Sequence, residues 1–146
     1  MQLKCQWEEG YLFKTQVGEH WVSQDSKPPI GKGSAPTPKE LVLSGLVGCT
    51  SMDVVGWLKK KRQPLKKFLI EANATQSETH PRVFTRIVLN YIFEGDLDKS
   101  VVSEAVRLSQ TQYCGVSAML SKTAKIQYDI HLNHEKIESA EASFAL

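Results

Sequence analysis

One stretch limits the possible folds more than any other. From Leu41 to Leu58 the chain is apolar on nearly every side of a helix. Strong boundary signals enclose it. Thr37-Pro38-Lys39-Glu40 gives an N-cap, a proline at the first helical position and a capping-box glutamate. At the far end Lys59-Lys60-Lys61-Arg62 complement the negative helix terminus, and Pro64 stops the helix. The pattern predicts one long helix over about residues 37–62, placed centrally because no face is polar. Gly45, Gly48 and Gly56 each weaken a helix interior by about 1 kcal/mol relative to Ala. Close approach of another backbone is the expected compensation. A central helix without a polar face is awkward for a monomer of 146 residues, so an intimate homodimer sharing one core is expected.

The segments around this helix alternate as strands do. Leu3, Cys5 and Trp7 share one face of a first strand, which makes Cys5 a core residue. Tyr11, Phe13 and Val17 suggest a second strand, and Trp21-Val22 a third. Ser23 to Thr37 is a loop rich in Pro, Gly, Ser and Lys, readable as a linker, a lid or an arm. After the helix, Phe68, Ile70, Ala72 and Ala74 line one strand. Val83, Thr85, Ile87, Leu89, Tyr91 and Phe93 line another, joined to the first by a hairpin. A second helix is expected over about 98–112, a short third over about 116–122, and a last strand through Ala124, Ile126, Tyr128, Ile130 and Leu132. The fold class is α+β, with antiparallel sheets packed on a long central helix. Residues 1–133 are expected to form one domain and 134–146 a weakly ordered tail.

Composition removes several functions. The net charge of +2 gives no electrostatic case for nucleic acid. The basic run Lys59 to Lys67 reads as a solvated helix end. No apolar stretch reaches the ~18 residues of a membrane span, and no signal peptide is visible, so no membrane partner and a cytoplasmic location are expected. Three cysteines do not make a disulfide scaffold. There is no CxxC, no HExxH and no phosphate loop after a strand, so no metal or other cofactor is implied. Two cysteines remain of interest. Cys49 lies mid-helix, where a small buried hydrophobe is the simplest role. Cys114 sits between two helices, where a helix N-terminus can make a thiol acidic; a buried cap beside Gly115 is the alternative.

Pro38-Lys39-Glu40-Leu41 followed by Cys49-Thr50-Ser51-Met52 resembles the helix signature of the OsmC/Ohr family of thiol peroxidases. Tyr113-Cys114-Gly115-Val116-Ser117 is similar to that family's second motif, Cys-Pro-Val/Ile-Ser. The resemblance covers about residues 1–133 and is nearest to the OsmC-like subgroup. It implies an intertwined homodimer with sites at the subunit interface and an antioxidant, stress-response role. It also implies that Cys49 attacks an organic hydroperoxide and that Cys114 resolves the sulfenic acid as a disulfide. An external dithiol would then reduce the pair.

The chain departs from that pattern. The family's peroxidases hold the thiolate with an Arg paired to a Glu ten residues before the Cys, and here that position is Lys39. Glu40 is adjacent but turned about 100° away on a helix, and residues 1–61 contain no Arg. Lys32 or Lys27 offers a cation without the bidentate fork of Arg. Arg82 and Arg86 are candidates if the fold brings them near. The departures leave open a non-peroxidase dimer that binds or senses a small electrophile or apolar ligand, and an inert interaction module.

Overall fold

The structure, a computed structural model, describes residues 1–145. The chain forms two compact units, Met1–Ser44 and a second from Gly45 onward. The first holds a three-stranded antiparallel sheet of β1 (Lys4–Glu9), β2 (Leu12–Val17) and β3 (His20–Gln24), in that order. The turns fall at Gly10 and Gly18, whose positive φ values of 51° and 60° suit a residue without Cβ. Cys5 corrects an expectation, because it lies exposed along with the whole of β1. Alternation fixes which residues share a face, but not what covers that face.

The loop after β3 is pinned rather than free. Asp25, 3% exposed, accepts hydrogen bonds from Ser34 N (3.0 Å), Ser34 Oγ (2.9 Å) and Ser26 N (2.7 Å). These donors hold its carboxyl below the usual range. The loop delivers the chain to α1 (Pro38–Lys60) through the expected capping box. Thr37 N and Oγ1 both donate to Glu40 Oε2, at 2.8 and 3.0 Å, and Glu40 N donates back to Thr37 Oγ1.

By length and composition α1 could cross a membrane, contrary to the reading that no stretch is long enough. Instead Leu46, Thr50, Val54 and Leu58 form a buried stripe along it, the i, i+4 spacing of a helix laid on a core. The opposite side stays open: Met52 is 77% exposed, and among the described residues nothing outside the helix's own backbone and the adjacent residues approaches within 4 Å of a Cβ built on Gly45, Gly48 or Gly56.

The second unit is a four-stranded sheet in the order β4-β5-β6-β7, with β4 Leu65–Gln76, β5 Phe84–Gly95, β6 Lys125–Leu132 and β7 Glu135–Glu141. The sheet is mixed: β4–β5 and β6–β7 are antiparallel, whereas β5 and β6 run parallel. A parallel pair needs a crossover. It is supplied by α2 (Lys99–Leu108), a π-helical turn Ser109–Tyr113 and α3 (Gly115–Leu120). Ile87, Leu89, Tyr91 and Phe93 of β5 are fully buried. At the start of β5 the parity differs from expectation. Phe84 is buried while Val83 and Thr85 are exposed, because the pairing slips between Thr75 and Gln76 on the facing strand. The 134–146 tail, expected to be weakly ordered, contains β7. Its register against β6 comes from backbone pairing, and its charged residues suit a sheet edge.

Candidate functional site: a dithiol beside a carboxylate

The second unit brings the two candidate cysteines together. Cys49 Sγ, Cys114 Sγ and a carboxylate oxygen of Asp53 all lie within 4.8 Å of one another. Cys49 and Asp53 are four residues apart on α1 and so share a face; both are half-buried. Cys114 is fully buried and caps α3, its Sγ accepting from Ser117 N at 3.4 Å. The predicted place at a helix start is therefore found. The predicted acidity is not: burial pushes the Cys114 thiol up to about 11, against the lowering effect of Ser117, with Cys49 adding to the rise. Desolvation is the largest of these effects.

A closed polar network supports the carboxylate. Gln110 Nε2 spends its two protons on Thr50 Oγ1 (3.1 Å) and the Tyr91 hydroxyl (2.9 Å), and Ser117 Oγ donates to Gln110 Oε1 at 3.0 Å. Ser109 Oγ donates to Asp53 Oδ2 at 2.9 Å. Ser109 therefore receives its 2.8 Å bond from Thr50, and Thr50 receives its 2.7 Å bond from Tyr91. All protons point one way, from Tyr91 through Thr50 and Ser109 to Asp53. Burial pushes the Tyr91 phenol up, which keeps it a donor. Thr50, Ser109, Gln110 and Ser117 are each fully buried, and no buried side-chain N or O among the described residues lacks a partner. Ser109 and Gln110 belong to the π-helical turn, closed by the bond from Cys114 N to Ser109 O at 2.9 Å. Such turns often mark functional positions.

The other predicted supporting residues are engaged in the first unit. Glu40 closes the capping box and pairs with Lys27 at 2.6 Å. The Lys27 bond and then the Thr37 donors hold its carboxyl down to about 2. Lys32 pairs with Glu9 at 2.7 Å, and Lys39 sits in the first turn of α1. Arg86 points to the sheet face opposite Ile87 and Tyr91 and bonds Gln127 at 2.9 Å. Arg82 lies exposed in the β4–β5 connection. Among the described residues no cation pairs with Asp53. Sequence reasoning missed Asp53 and the network. The signal was present as Thr50 and Asp53, two polar residues in an apolar helix, with Asp53 one turn beyond Cys49.

The α+β scaffold holds two free thiols between a long helix and a crossover. The family model described as "OsmC-like protein" matches residues 31–129, and the chain belongs to that family. It is similar to Protein YhfA of Escherichia coli (strain K12), 35% identical over 130 residues that span 88% of this chain and 95% of YhfA. Two solved structures share the fold. An OsmC-like protein from Mycoplasma pneumoniae has a TM-score of 0.79 at 15% identity, covering 90% of this chain and 95% of its own. An organic hydroperoxide resistance protein OsmC from Legionella pneumophila has a TM-score of 0.68 at 14% identity, covering 90% and 97%.

Proposed function

We propose that this protein is a thiol-dependent peroxidase of organic hydroperoxides, with Cys49 as the attacking sulfur and Cys114 as the resolving one. The observation that carries the reading is the approach of the two sulfurs to within 4.8 Å. Disulfide formation requires the sulfurs to close from that separation to a bond of about 2.05 Å. In the first step Cys49 sulfur bonds to the terminal peroxide oxygen and the O–O bond breaks. The thiol proton passes to the alkoxide, giving alcohol and a Cys49 sulfenic acid. In this reading Asp53, beside the sulfurs, carries that proton. In the second step Cys114 sulfur attacks the sulfenic sulfur, and its proton leaves with the hydroxide as water. An external dithiol then reduces the disulfide by exchange, as a cytoplasmic setting would allow. The family membership and the hydroperoxide-resistance name of a fold neighbour support a redox role. Cys49→Ser should abolish thiol-dependent consumption of cumene hydroperoxide, and unchanged turnover would refute the assignment.

The working unit is a homodimer in this reading. The open side of α1, with Met52 and the three unapproached glycines, is the surface a second copy would cover. Sedimentation as a stable 16.4 kDa monomer would contradict it. A second reading is favoured by one observation. A carboxylate, not a guanidinium, stands beside the sulfurs. In that second reading the protein is a non-peroxidase dimer that binds or senses a small electrophile or apolar ligand. In that case hydroperoxide forms no Cys49–Cys114 disulfide, while an apolar ligand raises the melting temperature.

A further inference from the structure

The charge at the dithiol is opposite to what a stabilised thiolate needs. Two thiols and a carboxylate converge there, and among the described residues no cation takes part in the site. We propose that the reduced pocket is a Zn²⁺ site, with Cys49 Sγ, Cys114 Sγ and an Asp53 carboxylate oxygen as ligands and the fourth position open.

The geometry fits this assignment. Zinc bonds of about 2.3 Å to sulfur and 2.0 Å to oxygen put tetrahedral ligands roughly 3.5–3.8 Å apart. The three donor atoms already lie within 4.8 Å of one another, so a contraction of about 1 Å closes the site. The donors also suit the ion, since thiolate with carboxylate is a borderline-soft set. Asp53 has the support a metal ligand usually receives. Ser109 donates to Oδ2 at 2.9 Å, the described residues give Oδ1 no hydrogen bond, and the hydroxyl chain from Tyr91 fixes the direction of that donor. Cys114 is held from the other side as the cap of α3. Binding exchanges two thiol protons for one metal ion, M²⁺ + 2 RSH → M(SR)₂ + 2 H⁺, with no change of oxidation state. Metal binding and disulfide formation draw on the same two sulfurs, so a Cys49–Cys114 disulfide would remove the thiolate ligands of the Zn²⁺ site.

The test uses full-length reduced protein stripped with a chelator, and no peroxide. Zn²⁺ is titrated against a chromophoric chelator, and Co²⁺ is added separately to read tetrahedral thiolate absorption. One Zn²⁺ per chain is expected, with intense Co²⁺ bands. Cys49→Ser should lose both signals, and Asp53→Ala should weaken affinity on the order of 10–100-fold. Bound Zn²⁺ should also slow alkylation of both cysteines in the unmutated protein, a readout independent of variant folding. Absence of stoichiometric binding overturns the proposal. So does equal binding by the Cys49→Ser and Asp53→Ala variants, or alkylation that Zn²⁺ does not slow. Because no step involves a hydroperoxide, loss of the peroxidase reading leaves this result unaffected, and the converse also holds.

Discussion

Replacing Thr50 tests whether the buried polar network holds the site together. Thr50 Oγ1 is the junction of three bonds, to the Tyr91 hydroxyl, Ser109 Oγ and Gln110 Nε2. Thr50→Val keeps the shape and removes the hydroxyl. The Tyr91 proton then has no acceptor, and one Gln110 N–H is orphaned. Each buried donor left unpaired costs about 1–3 kcal/mol, so the variant should lose about 2–6 kcal/mol. Thr50→Ser keeps the hydroxyl and removes one methyl, costing about 1 kcal/mol. Urea unfolding followed by tryptophan fluorescence, under reducing conditions and at matched protein concentration, measures both. The valine variant should be much the weaker. If it falls within about 0.5 kcal/mol of the unmutated protein, or if serine is the more damaging change, packing rather than hydrogen bonding stabilises this region.

Two further outcomes concern Glu40 and Cys114. Glu40 is held down to about 2 from an ordinary 4.5 by Lys27 and Thr37. Its contribution to stability is complete above pH 4.5 and is lost as pH falls through about 2. Glu40→Gln should flatten that acid limb; an unchanged slope would refute the pairing. Cys114→Ser should still react once with hydroperoxide but should over-oxidise Cys49 to the sulfinic acid, read by peptide mass. A stable sulfenic acid under excess peroxide would deny Cys114 its resolving role.

Much of the scaffold was legible because local chemistry specifies it. The capping box at Thr37 and Glu40 set the start of α1, and period-two alternation gave Ile87 to Phe93 and Ile126 to Leu132. What alternation cannot report is the neighbour of each face or the pairing between strands. Hence Cys5 looked like core, the parallel β5–β6 pair looked antiparallel, and β7 went unseen in a charged tail. At the site, motif spacing located both sulfurs but not their electrostatics. Cys114 looked acidic from its place before a helix, while its burial is a tertiary property. Asp53 and Tyr91 meet only through folding: one lies on the helix, the other on β5, and Thr50 and Ser109 join them.

The central claim is that Cys49 and Cys114 change oxidation state as a pair. Intact and peptide mass of the reduced protein, before and after one equivalent of cumene hydroperoxide, measures this directly. A loss of two hydrogens mapped to a Cys49–Cys114 linkage is the predicted result. Persistence of two free thiols after the peroxide is consumed, or oxidation confined to exposed Cys5, would contradict it.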